Sequence, residues 1–116
     1  DNANKDSILD LNKFKWDYSR YSDILHIHRV DQKTKGSVEL GDFTLDFGKN
    51  NEIIGIEVEH ASEFFNNMDI DKGSLSKIQN VQLLIDKRNP QCQLIFLKLD
   101  FPNITKKILL PTPLVA

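Results

Sequence analysis

The stretch Phe43-Thr44-Leu45-Asp46-Phe47-Gly48-Lys49-Asn50-Asn51-Glu52-Ile53-Ile54-Gly55-Ile56-Glu57-Val58-Glu59-His60 carries the fold. Phe43, Leu45 and Phe47 recur at every second position, as do Ile54, Ile56 and Val58. That two-residue period belongs to a strand with one buried face. Gly48-Lys49-Asn50-Asn51 has the composition of a turn, so two strands meet across a brief connection. Gly55 inside the second strand marks a bulge or a close backbone approach. With Ile53 and Ile54 both apolar just before it, a bulge would let both reach the core. Glu57 faces away from Ile56 and Val58, either as a solvent-facing partner of a lysine or as a carboxylate at a functional or subunit surface.

Toward the N-terminus, Gly41-Asp42 suits a tight hairpin turn because glycine accepts positive φ, and Ser37-Val38-Glu39-Leu40 is its other strand. Ile24-Leu25-His26-Ile27-His28-Arg29-Val30 is a further strand, closed by the polar run Asp31 to Gly36. Four short strands with loops this brief predict an antiparallel meander. Toward the C-terminus the period changes. Ser62 is the expected N-cap of a short helix with Phe64, Phe65 and Met68 on its apolar side. A second helical turn with Leu75 and Ile78 follows the break at Asp71-Lys72-Gly73. Strands return at 81–87, 93–101 and 105–110, and Pro111 and Pro113 stop the last by removing ladder donors. The expected fold is α+β, mostly antiparallel sheet in the order β-β-β-β-α-β-β-β with one short helix; the alternative is an all-β sandwich. Leu94 and Phe96 alternate with Ile95, Leu97 and Leu99, so that strand is apolar on both faces and needs cover from both sides.

Composition narrows the function classes more than it selects among them. The chain has 116 residues, 40% hydrophobic and 28% charged, which fits one soluble domain spanning 1–116. Fifteen Lys and Arg against seventeen Asp and Glu give a net charge of −2. Nothing in that balance favours nucleic acid or an anionic membrane as a partner. No apolar run approaches the roughly 18 residues of a membrane-spanning helix. One cysteine, Cys92, makes no internal disulfide. The polar start Asp1 to Ser7 has no signal-peptide core, and the cytoplasm is the expected location. Asn103-Ile104-Thr105 fits a glycosylation acceptor pattern, but it reads as a turn leading into a strand.

Trp16-Asp17-Tyr18 leading into Ser22-Asp23-Ile24-Leu25-His26-Ile27, then Thr44-Leu45-Asp46-Phe47, then Ile53-Ile54-Gly55-Ile56-Glu57-Val58-Glu59-His60-Ala61-Ser62 resembles the YuzE-like family, also known as domain of unknown function 2283. The last segment is the most specific match, and coverage runs from about Trp16 to Phe65. His26 stands where the family usually has Tyr, and Asn50-Asn51 replaces an acidic-Gly turn. The resemblance implies a small α+β fold without an established activity. It singles out Asp17, Asp46, Gly55 and Glu57 as motif residues and makes 81–110 a three-strand extension of the module at 16–65. Some short members of the family sit beside toxin genes, so an antitoxin-like partner of a small toxin is a further implied reading.

Among chemistry-bearing residues, His26 and His28 come first. At i and i+2 of a strand they share a face, where two imidazoles can hold zinc or nickel, and His60 at the end of the fourth strand is a candidate third ligand. The plainer reading packs both rings on the outer sheet face. Asp69-Ile70-Asp71-Lys72-Gly73 fails as a calcium loop, since its glycine falls one place early and Asn80 occupies the position of the bidentate Glu. Glu57 and Glu59 on one strand are not the facing carboxylates of a glycosidase. Cys92 has no His nearby in sequence, and no Gly-rich phosphate loop or Gly-x-Ser-x-Gly elbow occurs. No catalytic residue and no cofactor are expected. The favoured function is non-catalytic association, as a homodimer or with a protein partner; a small metal-binding protein or enzyme using His26 and His28 is the alternative. The apolar end Leu109 to Ala116 and the doubly apolar strand make Leu94, Phe96, Leu114 and Val115 the interface candidates.

Overall fold

A computed structural model describes residues 14–89 and 91–110. Among the described residues, eight strands form two antiparallel sheets. β1 (Phe14–Ser19), β2 (Ile24–Arg29), β3 (Gly36–Leu40), β4 (Phe43–Phe47) and β5 (Ile53–Val58) make a five-stranded sheet in the order β1-β2-β5-β4-β3. β6 (Asn80–Asp86), β7 (Leu94–Asp100) and β8 (Thr105–Leu109) make a three-stranded sheet in that order. Two short helices, α1 (Ala61–Asn66) and α2 (Lys72–Leu75), join the sheets.

The α+β class and the antiparallel pairing agree with the sequence pattern, and three details correct it. The first strand is β1, whose Phe14, Trp16 and Tyr18 pack against the core while Lys15 and Asp17 face solvent, which makes eight strands rather than seven. The first sheet is not a simple meander: β5 lies between β2 and β4, which puts its apolar run Ile53 to Val58 at the sheet centre, buried at every position but Glu57. The helical stretch is two helices, separated by the turn that ends at Asp71.

Both sheets turn one face inward onto a common core. Leu25, Ile27, Leu45, Ile56 and Val58 from the first sheet and Val81, Ile95, Leu97 and Leu99 from the second are nearly or wholly excluded from solvent. α1 adds Phe65 and α2 adds Leu75 to the same cluster. β6 is the strand of the second sheet that comes closest to β1, β2 and β5. Burying each such side chain stabilises the fold by about 1.5–3 kcal/mol. No helix among the described residues is long and apolar enough to cross a membrane.

The bulge at Gly55 exists. Asp46 pairs with Gly55 and Phe47 with Ile53, which leaves Ile54 as the extra residue. Both isoleucines are buried, but only Ile53 joins the core cluster. Ile54 is covered instead from the loop before β5: a Cβ on Gly48 would lie 3.0 Å from Ile54 Cγ2 and would meet Gln32 Oε1. The turn between β4 and β5 uses Asn50 and Asn51 at φ 64 and φ 58, a left-handed conformation that asparagine tolerates better than most residues.

Candidate functional site

The outer face of the five-stranded sheet gathers the polar residues that the sequence scatters. Register alone sets out two rows across it. One runs Asp17, His26, Glu57, Thr44, Glu39 from β1 through β2, β5 and β4 to β3. The other runs Lys15, His28, Gly55, Asp46, Ser37. Directly opposed residues of neighbouring strands hold their Cβ atoms about 4.5–5.5 Å apart, so the side chains of the first row are neighbours, while Gly55 leaves a gap in the second. Asp17, Asp46, Gly55 and Glu57, the four motif residues, therefore fall on one face, next to His26 and His28.

Gly55 sits in the middle of the second row, and its missing side chain decides the local shape. A Cβ there would stand 3.0 Å from His28 Cβ, 3.0 Å from the Ile27 carbonyl oxygen and 3.1 Å from Asp46 Oδ2. His28 and Asp46 thus close over the glycine from either side. Ser37 Oγ donates to Asp46 Oδ1 at 2.7 Å, which fixes the carboxylate and leaves Oδ2 3.6 Å from His26 Nε2. The His26 and His28 rings stack with centroids 5.0 Å apart and planes 23° from parallel. His28 Nδ1 is buried and has no hydrogen-bond partner. Burial first, and then the neighbouring His26, hold the His28 imidazole below its ordinary pKa, which favours the neutral ring.

His60 lies elsewhere. It precedes α1 at φ 52, and its Nδ1 is 3.2 Å from Asp42 Oδ1. That hydrogen bond and the Asp42 charge raise its pKa. Together with Glu59 these residues form a group whose potential ligand atoms lie within 4.8 Å of one another, all on exposed side chains. The structure therefore separates His60 from the His26–His28 pair and gives it two carboxylate neighbours.

A third polar cluster is structural. Asp23, at φ 58 in the turn between β1 and β2, accepts from Tyr18 Oη at 2.7 Å and from the Ser62 backbone N–H at 3.0 Å through Oδ1. Its Oδ2 accepts from Ser62 Oγ at 2.6 Å, and its carbonyl accepts from Ala61 N–H at 3.0 Å. Asp23 thus caps α1 across 39 residues of sequence, and Ser62 is a first-turn donor rather than the N-cap. The failed calcium motif has a similar explanation, since Asp71 Oδ1 accepts from Ser74 N–H at 2.7 Å and caps α2. Sequence reading missed the roles of Ser37 and Asp23. Only strand register brings Ser37 to Asp46, and only the paired sheet brings Asp23 to Ser62.

Of the interface candidates, Leu94 is 39% exposed and Phe96 is half-buried with Lys107 Nζ 4.5 Å from its ring centroid. Leu114 and Val115 lie outside the described residues. Leu84, Phe96 and Leu109 share one row on the outer face of the three-stranded sheet.

These features define a two-sheet α+β protein with a histidine–carboxylate face on one sheet and an apolar row on the other. Its family likeness is confined to the first sheet. Residues 15–62, from β1 into the first turn of α1, match the family described as "Protein of unknown function (DUF2283)". An uncharacterised protein of Methanocaldococcus jannaschii is 37% identical over 65 residues, which covers 56% of this chain and 53% of that protein. The match therefore spans about half the length of the curated relative. No solved structure matches the chain significantly. The second sheet lies beyond the segment that the family describes.

Proposed function

We propose that this chain is a self-association module that pairs through the outer face of its three-stranded sheet. The single observation behind this reading is the row Leu84, Phe96, Leu109 on that face, with Leu109 50% exposed and Leu94 beside it on β7 at 39%. Aliphatic and aromatic side chains aligned in one row make a continuous apolar strip, which gains about 25 cal/mol for each Å² removed from water. A second copy suits this strip because it is self-complementary. A two-fold axis lying between the two copies, parallel to the sheets and running along the strip, lays strip on strip. Lys98 and Lys107, opposed on one side of the strip, then face the partner's opposite end, where Asp86 is opposed to Leu94, so like charges do not meet. Asp86 is held by Arg88 at 2.7 Å, which keeps that end close to neutral.

Light scattering after size exclusion at micromolar concentration tests the reading. The expected mass is twice 13.4 kDa, falling to the single-chain mass in Phe96→Glu. A wild-type mass that stays at 13.4 kDa on concentrating would overturn it.

A further inference from the structure

We infer that His26, His28 and Asp46 form a binding site for a borderline divalent metal ion of the zinc, cobalt and nickel class. The site lies on the other sheet from the self-association face and does not depend on it. Three observations carry the inference. The first is the donor set. Two imidazoles and one carboxylate are the nitrogen and oxygen ligands that such ions select, whereas calcium and magnesium take oxygen alone.

The second is geometry. Metal–ligand bonds of about 2.1 Å at tetrahedral angles place neighbouring donor atoms roughly 3.4 Å apart. His26 Nε2 and Asp46 Oδ2 are 3.6 Å apart, close to that edge length and too far for a good hydrogen bond. Ser37, bonded to the other carboxylate oxygen, holds Asp46 in this orientation as an outer partner does for a metal ligand. Gly55 leaves the space beneath, since any Cβ would press on Asp46 Oδ2.

The third is His28. Its ring stacks beside His26, and its buried Nδ1 has no partner, an unsatisfied state that native proteins seldom leave without a ligand or a water. Among the described residues three potential ligand atoms already lie together only at Asp42, Glu59 and His60, so His28 completes the set with His26 and Asp46 only by turning its ring about χ2, a torsion with broad minima. Asp17 and Glu57 flank His26 on either side in its own row. Three protein donors leave a fourth position open to water or a small anion, as in metal sites that bind a further ligand.

The Asp42–Glu59–His60 group provides the internal control, because it is a separate exposed group in which His60 and Asp42 already pair with each other. The experiment is calorimetric titration of untagged, chelator-stripped protein with zinc chloride, alongside cobalt(II) absorption spectra. One zinc per chain is expected, with visible cobalt bands of a low-coordinate nitrogen–oxygen site. Binding is expected to vanish in His26→Ala and His28→Ala, to weaken roughly 10- to 100-fold in Ser37→Ala, and to persist in His60→Ala. His26 and His28 are half-buried, and circular dichroism reports whether each variant keeps its sheet. Absence of stoichiometric zinc at micromolar concentration, or zinc retained by folded His26→Ala and His28→Ala, overturns the assignment. So does loss of zinc in His60→Ala.

Discussion

At the scale of single residues, Asp23 does more than its position in a turn suggests. Its two oxygens take three hydrogen bonds, from Tyr18 and from the backbone and side chain of Ser62. Asp23→Ala leaves the Ser62 N–H and the Tyr18 hydroxyl without their acceptor, which is expected to cost about 1–3 kcal/mol in urea denaturation at neutral pH. The same cluster sets a pH dependence at both ends of the scale. Burial alone pushes the Asp23 carboxyl up, but the hydrogen bonds from Ser62 and Tyr18, with Lys72 nearby, outweigh it and leave the pKa below the ordinary 3.8. Its contribution is therefore complete above 3.8 and disappears as pH falls through the lower folded value. Burial, and then the bond to Asp23, push the Tyr18 phenol from 10.0 to about 12. That contribution is complete below pH 10 and fades as pH climbs toward 12. The gap in unfolding free energy between wild type and Asp23→Ala should accordingly narrow in acid and again in strong alkali. A gap that is flat across pH would refute this assignment of the cluster.

At the scale of elements, the β4–β5 pair with its bulge shows what could be read from sequence and what could not. Alternation in Phe43, Leu45 and Phe47 gave that strand, and Gly41, at φ 63, makes the two-residue turn before it. The bulge followed from a glycine after two isoleucines. The destination of Ile54 did not, because it rests on Gly48 of the preceding turn lying against both Ile54 and Gln32, a residue two strands away in sequence. The sequence also marked His26, His28, Asp46 and Glu57 one by one, yet their meeting depends on β5 inserting between β2 and β4, an order that local patterns do not encode. Gly55→Ala tests how tightly this region is built. The new methyl would stand 3.0 Å from the Ile27 carbonyl oxygen, and backbone cannot move aside as a flexible side chain can. We expect a loss of about 1–3 kcal/mol in thermal and urea unfolding. A variant as stable as wild type would mean that β2 and β5 separate there easily.

At the scale of the whole molecule, the two sheets share a core but present different outer faces. The first is polar, with carboxylates on both sides of a histidine pair; the second carries its apolar row between lysines and a neutralised aspartate. The proposed pairing and the proposed metal site therefore occupy opposite sheets, and one can fail without the other. If the chain pairs through the second sheet, its melting temperature rises with protein concentration while zinc affinity stays unchanged. The apolar character of β7 was legible from Leu94 to Leu99. Its partial cover was not, because the amount of Phe96 left in contact with water depends on Lys107 lying over its ring.

The cap that Asp23 places on α1 also bears on the order in which the chain folds. A helix of six residues cannot nucleate alone in water, and the acceptor for its first-turn amide comes from a turn that exists only once β1 and β2 have paired. α1 is thus a late product of folding, and its first turn is tied to the β1–β2 turn through Asp23. In native-state hydrogen exchange the Ser62 amide should share its protection with the Leu25 and Ile27 amides rather than with a fraying helix end. Much faster exchange at Ser62 than in β2 would show that the helix opens independently after all.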